Sequence, residues 1–144
     1  MIKQITVAII TPTHDKRSFD LGLELAKKLG CSLSVIECFY QKPPTFHFFE
    51  TKTDKIALQK RKEQIKNELS KWEKAAAKQN VPIKTKFALT DSIAHWVIDY
   101  VTENHVDMLI VDYPKLSMTE STLYDDIINT IHHKAKCHVL TTKP

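Results

Sequence analysis

The chain has 144 residues, 42% apolar and 26% charged, a composition that fits one soluble globular domain spanning residues 1–144. No apolar run approaches the ~18 residues of a membrane span, and three cysteines with no CxxC among them point to a reducing, cytoplasmic compartment. Only two glycines are present where average usage would give about ten, which argues against a glycine-rich phosphate cradle.

The first strand is read at Ile5 to Ile10, an apolar run suited to burial on both faces. No small-residue cleavage pattern follows it, so it is not read as a signal peptide. Thr11-Pro12-Thr13-His14-Asp15 is a loop. Ser18 is expected to cap a helix carrying Phe19, Leu23, Ala26 and Leu29 at helical spacing, with Gly30 as its stop. Ser32 to Phe39 is the second strand. The irregular stretch 40–53 contains Pro43-Pro44, which forbids a ladder. Its Phe46, Phe48 and Phe49 around His47 either pack the loop onto the sheet, the simpler reading, or form a lid or partner surface.

A long helix is expected from Asp54 to about Gln79, with Leu58, Ile65, Leu69, Trp72 and Ala76 on one stripe. At 1.5 Å per residue it would run about 39 Å, so its first turns should overhang the domain. The net charge of +4 is concentrated here: residues 51–78 hold nine Lys/Arg against four Asp/Glu. Glu63, Glu68 and Glu73 interrupt the basic face and no aromatics interleave it. It therefore reads as a solvated face in preference to a nucleic-acid surface. Ile83 to Leu89 alternates with Lys84 and Lys86, as an edge strand with one wet face does. Thr90-Asp91-Ser92 precedes a helix lined by Ile93, Val97, Tyr100 and Val101. Met108 to Val111 is the fourth strand. Thr122-x-x-Asp125 has capping-box spacing before a last helix lined by Leu123, Ile127, Ile128, Ile131 and Ala135. His138 to Thr142 closes the chain as a fifth strand.

Strands that alternate with helices imply a three-layer, doubly wound α/β domain. The expectation is a Rossmann-like, five-stranded parallel sheet in the order 3-2-1-4-5. Ligands of such sheets sit beyond the carboxyl ends of the strands, where the strand order reverses. That crevice would set Ile10, Thr11, Pro12 and Thr13 opposite Asp112, Tyr113 and Lys115, with Asp125 and Asp126 further along the same loop.

The element spacing, together with LGLELAKKLGCSLSVIECF, VDMLIVD and CHVLTT, resembles the universal stress protein family along essentially the whole chain. Nucleotide-binding members carry an Asp at the end of strand one and a G-x2-G-x9-G-[ST] motif after strand four. The resemblance implies that these hold ATP and that the last strand often builds a dimer. Matched residue by residue, the Asp falls on Ile10, the three glycines on Asp112, Lys115 and Asp125, and the Ser/Thr on Asp126. The register then continues without a gap to Cys137-His138-Val139-Leu140. Up to three carboxylates would thus face phosphate, each like-charge pair costing about 4 kcal/mol at ~4 Å and an effective dielectric of ~20. Lys115 would offset one such pair.

Other chemistry finds less support. Asp112, Asp125 and Asp126 have the oxygen ligands a hard cation wants, but Asp125 and Asp126 are read as caps or dipole partners at a helix start. His132, His133, Cys137 and His138 have soft-ligand character, yet the two adjacent helical histidines point apart. His14 lacks the partners of an H-x-G-H nucleotidyltransferase signature, and Ile10-Thr11-Pro12 lacks a receiver domain's acidic pair. No nucleophile–base arrangement stands out. The expectation is a non-catalytic stress-response binding or regulatory module with no cofactor and no metal, a homodimer through Val139, Leu140 and Thr141. The alternative is a protein that binds a nucleotide or divalent cation in the crevice. A further partner surface is expected at the Phe46–Phe49 loop or the basic helix, with neither membrane nor nucleic acid as partner.

Overall fold

In the computed structural model, which describes residues 1–11, 14–41, 52–113 and 116–142, strands and helices alternate throughout. The elements are β1 (Gln4–Ile9), α1 (Arg17–Leu29), β2 (Ser32–Tyr40), α2 (Lys52–Lys78), β3 (Ile83–Thr90), α3 (Ile93–Glu103), β4 (Met108–Val111), α4 (Met118–Lys134) and β5 (His138–Thr141). The sheet order is β3-β2-β1-β4-β5 and all four pairings are parallel, as the alternation predicts. No helix among the described residues is long and apolar enough to cross a membrane.

Side chains alternate across each strand, so β1 and β2 feed two cores. Val7, Ile9, Leu33 and Val35 face α1 and α2 and pack with Phe19, Leu69 and Trp72. Ala8, Ile10, Ile36 and Cys38 face the opposite way and join Val97, Val101, Ile128 and Ile131. Gly22 lets α1 lie close on the sheet, since a Cβ there would sit 2.5 Å from a Val7 methyl. Gly30 ends α1 at φ 66°, the left-handed conformation that glycine adopts at little cost. The first buried residue of α2 is Ile65, so its opening turns project beyond the core, as its length suggests.

Three expectations about helix ends and faces are corrected. Ser18 does not cap α1: it lies inside the helix, buried, and Asp15 Oδ1 instead accepts from the Arg17 amide at 2.8 Å. Leu29 and Leu123 are more than half exposed and line no core. Most important for the site, α4 begins at Met118, with Ser117 as its N-cap. The capping box is Ser117-x-x-Glu120, in which Ser117 Oγ accepts from the Glu120 amide and bonds its carboxylate. Thr122 bonds back to the Met118 carbonyl inside the helix. Pro12, Thr13, Lys115 and the Phe46–Phe49 loop lie outside the described residues.

Candidate functional site

The crevice forms where strand order reverses. Asp112 N donates to Ala8 O at 3.1 Å, carrying the β1–β4 ladder one residue beyond β4. Ile10, Thr11 and Asp112 meet at this end, each no more than 1% exposed. Ile10 is bound into the α3/α4 core. Its aliphatic side chain occupies the position where the resemblance places a ligand-binding Asp.

Asp112 is a buried acid with little support. Ser18 Oγ donates to its Oδ1 at 3.4 Å, while its Oδ2 and Thr11 Oγ1 are buried without a hydrogen-bond partner among the described residues. Burial pushes the Asp112 carboxyl up to about 6, and the charge of Asp15 adds to this. His14, Ser18 and Arg17 oppose the rise. Desolvation of the charged form is the dominant effect.

The remaining crevice candidates do not converge on Asp112. Asp125 and Asp126 are seven and eight residues past the start of α4, so they are neither caps nor part of a loop. Asp125 is engaged by Tyr113 through its hydroxyl, and Ser121 also reaches it at 3.4 Å. Asp126 contributes its backbone carbonyl to Thr130 at 2.8 Å. No three-carboxylate cluster forms from Asp112, Asp125 and Asp126 among the described residues. Nor do His132, His133, Cys137 and His138 gather into one; His132 pairs instead with Thr141 at 2.9 Å.

A second constellation, on the α1/α2 face, was not singled out from sequence. Glu37 lies in the interior of β2, 0% exposed. Strand alternation turns it toward α2 along with Val35 and Phe39. The Trp72 indole N–H donates to Glu37 Oε1 at 3.1 Å, whereas Oε2 is buried without a well-formed hydrogen bond among the described residues, with the Glu68 carboxyl beside it. Ligand atoms of His14, Glu37 and Glu68 lie within 4.8 Å of one another. His14 Nδ1 is 3.1 Å from the Thr11 carbonyl, and His14 Nε2 pairs with Glu68 Oε1.

Electrostatics ties the three groups together. Burial raises Glu37 to about 7, helped by the charge of Glu68 and opposed by Trp72 and His14. Burial works against protonated His14, but its bonds to Glu68 and Thr11 and the charges of Glu68 and Glu37 outweigh that and hold it above its ordinary value. Two ionised carboxylates at this spacing would repel by about 3–4 kcal/mol at an effective dielectric of ~20. His14 and Glu68 also line a cavity of about 580 Å³ between α1 and α2, together with Asp15, Phe19, Gln64 and Trp72. The sequence signal was a single Glu inside an otherwise apolar strand, SVIECFY.

Comparison with known proteins places this geometry in context. The sequence profile described as "Universal stress protein family" matches residues 1–143. No curated protein matches the chain by sequence. Among solved structures, a universal stress protein family member from Burkholderia pseudomallei superposes with TM-score 0.73 at 14% identity, covering 99% of this chain and 96% of its own. UspA from Lactobacillus plantarum gives TM-score 0.73 at 11% identity, covering 99% and 100%. A universal stress protein from Archaeoglobus fulgidus in complex with dAMP gives 0.63 at 12% identity, covering 99% and 98%. At these identities the structures speak to fold, and they share the fold derived above. With a family match over nearly every residue, the chain belongs to the universal stress protein family.

Proposed function

We propose that this chain is a non-catalytic binding or regulatory module of its family that does not hold ATP through the family's glycine loop. The observation that carries this reading is Asp112. A buried carboxylate with an unpartnered oxygen stands where the resemblance would put the first phosphate-loop glycine, and repels the anion that loop would cradle. Two further features support it. Asp125 and Asp126 fall inside α4, where their amides are committed to the helix. Ile10 supplies a buried aliphatic side chain in place of the ligand-binding Asp. The dAMP complex of the Archaeoglobus fulgidus relative defines the comparison to make. Calorimetric titration with ATP, AMP, dAMP and cAMP, with and without Mg²⁺, is expected to give no heat of binding up to about 1 mM. Micromolar ATP binding would overturn the reading.

A second reading is favoured by one specific observation. Thr11 Oγ1 and Asp112 Oδ2 are both buried without a partner among the described residues where the strand order reverses, which suits a small, uncharged or cationic hydrogen-bond donor. A nucleoside or amine panel in a thermal-shift assay tests it, because a ligand of the native state raises the melting temperature. We place the protein in the cytoplasm and infer a homodimer through Val139, Leu140 and Thr141 of β5. The basic outer face of α2 is a candidate protein-partner surface.

A further inference from the structure

We propose that His14, Glu37 and Glu68 form a binding site for one divalent first-row transition-metal ion, with Zn²⁺ or Mn²⁺ as the fitting class. This is independent of the reading above, since the site lies on the α1/α2 face of the sheet and uses none of the crevice acids.

The geometry is close to what coordination requires. Donor atoms about 2.0–2.2 Å from one ion at tetrahedral angles are about 3.4 Å apart. The three donors here lie within 4.8 Å of one another, so small side-chain adjustments, which part His14 Nε2 from Glu68 Oε1 to admit the ion and draw the other donors in, complete three ligands. His14 sits on the segment after β1, Glu37 on β2 and Glu68 on α2, so three separate elements converge on one point.

Outer partners already orient the donors in the manner of metal sites. A ligating histidine usually passes its other ring N–H to a carbonyl or carboxylate. His14 Nδ1 lies 3.1 Å from the Thr11 carbonyl, and an N–H donated there leaves Nε2 as the donor facing Glu68. In the metal-free protein a proton must bridge Nε2 and Glu68; an ion takes that place and releases it. Trp72 fixes Glu37 through Oε1.

Glu37 is the argument against a merely structural cluster. Accepting one hydrogen bond from Trp72 requires a single acceptor, which a glutamine would supply without a charge. The chain instead buries a carboxylate completely, gives its Oε2 no well-formed hydrogen bond among the described residues, and sets the Glu68 carboxyl beside it, close enough to share a proton with it. Protons on His14 and Glu37 balance that arrangement in the absence of an ion, and a divalent cation balances it when both acids are ionised. One imidazole and two carboxylates suit Zn²⁺ and Mn²⁺ better than Cu⁺, which prefers sulfur. The cavity of about 580 Å³ reaches His14 and Glu68, so an ion has an entry path. Its remaining coordination position would face this cavity, open to water or to an anionic oxygen of a small ligand.

The test uses the full chain after dialysis against a chelator. Titration calorimetry with Zn²⁺ and with Mn²⁺, and elemental analysis after re-dialysis, should show one ion per chain, with the melting temperature rising on addition. Co²⁺ serves as an optical probe, its visible absorption reporting the ligand field. Glu37→Gln keeps the side-chain shape and the Trp72 bond, and Glu68→Gln changes a half-buried helix residue. Each is expected to weaken the stoichiometric ion at least tenfold and alter the Co²⁺ spectrum, while circular dichroism confirms the fold. Binding well below one ion per chain, or affinity unchanged in folded Glu37→Gln and Glu68→Gln proteins, overturns the proposal.

Discussion

At Asp112 the competition is between burial and charge. Burial and the neighbouring Asp15 raise its carboxyl from 3.8 to about 6, while His14, Ser18 and Arg17 work in the other direction. An acid held more tightly protonated in the folded state than in the unfolded one costs stability once it ionises. That cost is absent below about pH 4, grows as pH rises through the interval up to about 6, and is complete above it. The rise corresponds to at most about 3 kcal/mol, and relaxation of the surroundings about the ionised carboxylate lowers this to about 1–2 kcal/mol. Asp112→Asn is therefore expected to stabilise the protein by about 1–2 kcal/mol near pH 7.5 and to give no gain near pH 4. Urea unfolding at the two pH values checks this. A stabilisation equal at both would assign the effect to packing, not ionisation. That a residue with such a cost stands at this point of the fold agrees with a crevice shaped for something other than phosphate.

At the scale of elements, regular structure was easier to read than its ends or its odd residues. The apolar runs and the helical stripe led to five strands and four helices in the right order, because burial of one face or two leaves a periodic trace. Helix starts were harder. Both Ser117-x-x-Glu120 and Thr122-x-x-Asp125 carry capping-box spacing, and the later one adjoined the first clear apolar periodicity. The structure uses the earlier one, since the first turns of α4 are largely exposed and leave no apolar stripe. Glu37 escaped notice for a related reason: its partners Glu68 and Trp72 come 31 and 35 residues later, on a helix where Trp72 read as core and Glu68 as solvated surface. Only the packing of α2 against β2 joins them. The same helix carries a measurable asymmetry. Residues 52–64 of α2 include none that is buried, whereas Ile65, Leu69, Trp72 and Ala76 are. A helix segment with little tertiary support opens locally at low free energy, and here the support is thin: half-buried Leu58, Arg61 and Lys62, with the Arg61 guanidinium over the Phe39 ring. Amide hydrogen exchange is expected to be at least tenfold faster over 53–63 than over 66–77. Equal protection along the helix would mean that some surface covers its first half.

For the whole molecule, the two edges of the sheet differ in how they are defended. β3 forms one edge and carries two exposed lysines, Lys84 and Lys86, the second with its ammonium 5.6 Å from the centre of the Trp96 ring, charges that disfavour pairing by another strand. β5 forms the other. It is four residues long, His-Val-Leu-Thr, pairs with β4 alone among the described strands, and carries no lysine. Leu140 is 42% exposed there. An unpaired, uncharged edge with an exposed leucine is the natural place for a second copy to add its own β5 across a two-fold axis, since the same patch then serves both subunits. The pairing would be antiparallel and would join two five-stranded sheets into one continuous sheet. Light scattering at micromolar concentration is expected to give twice the chain mass of 16.6 kDa. Leu140→Lys, which copies on β5 the device that protects β3, is expected to return a monomer that keeps its secondary structure. A parent protein that runs as a clean monomer at micromolar concentration would remove β5 as an interface and leave its edge protected by its shortness alone.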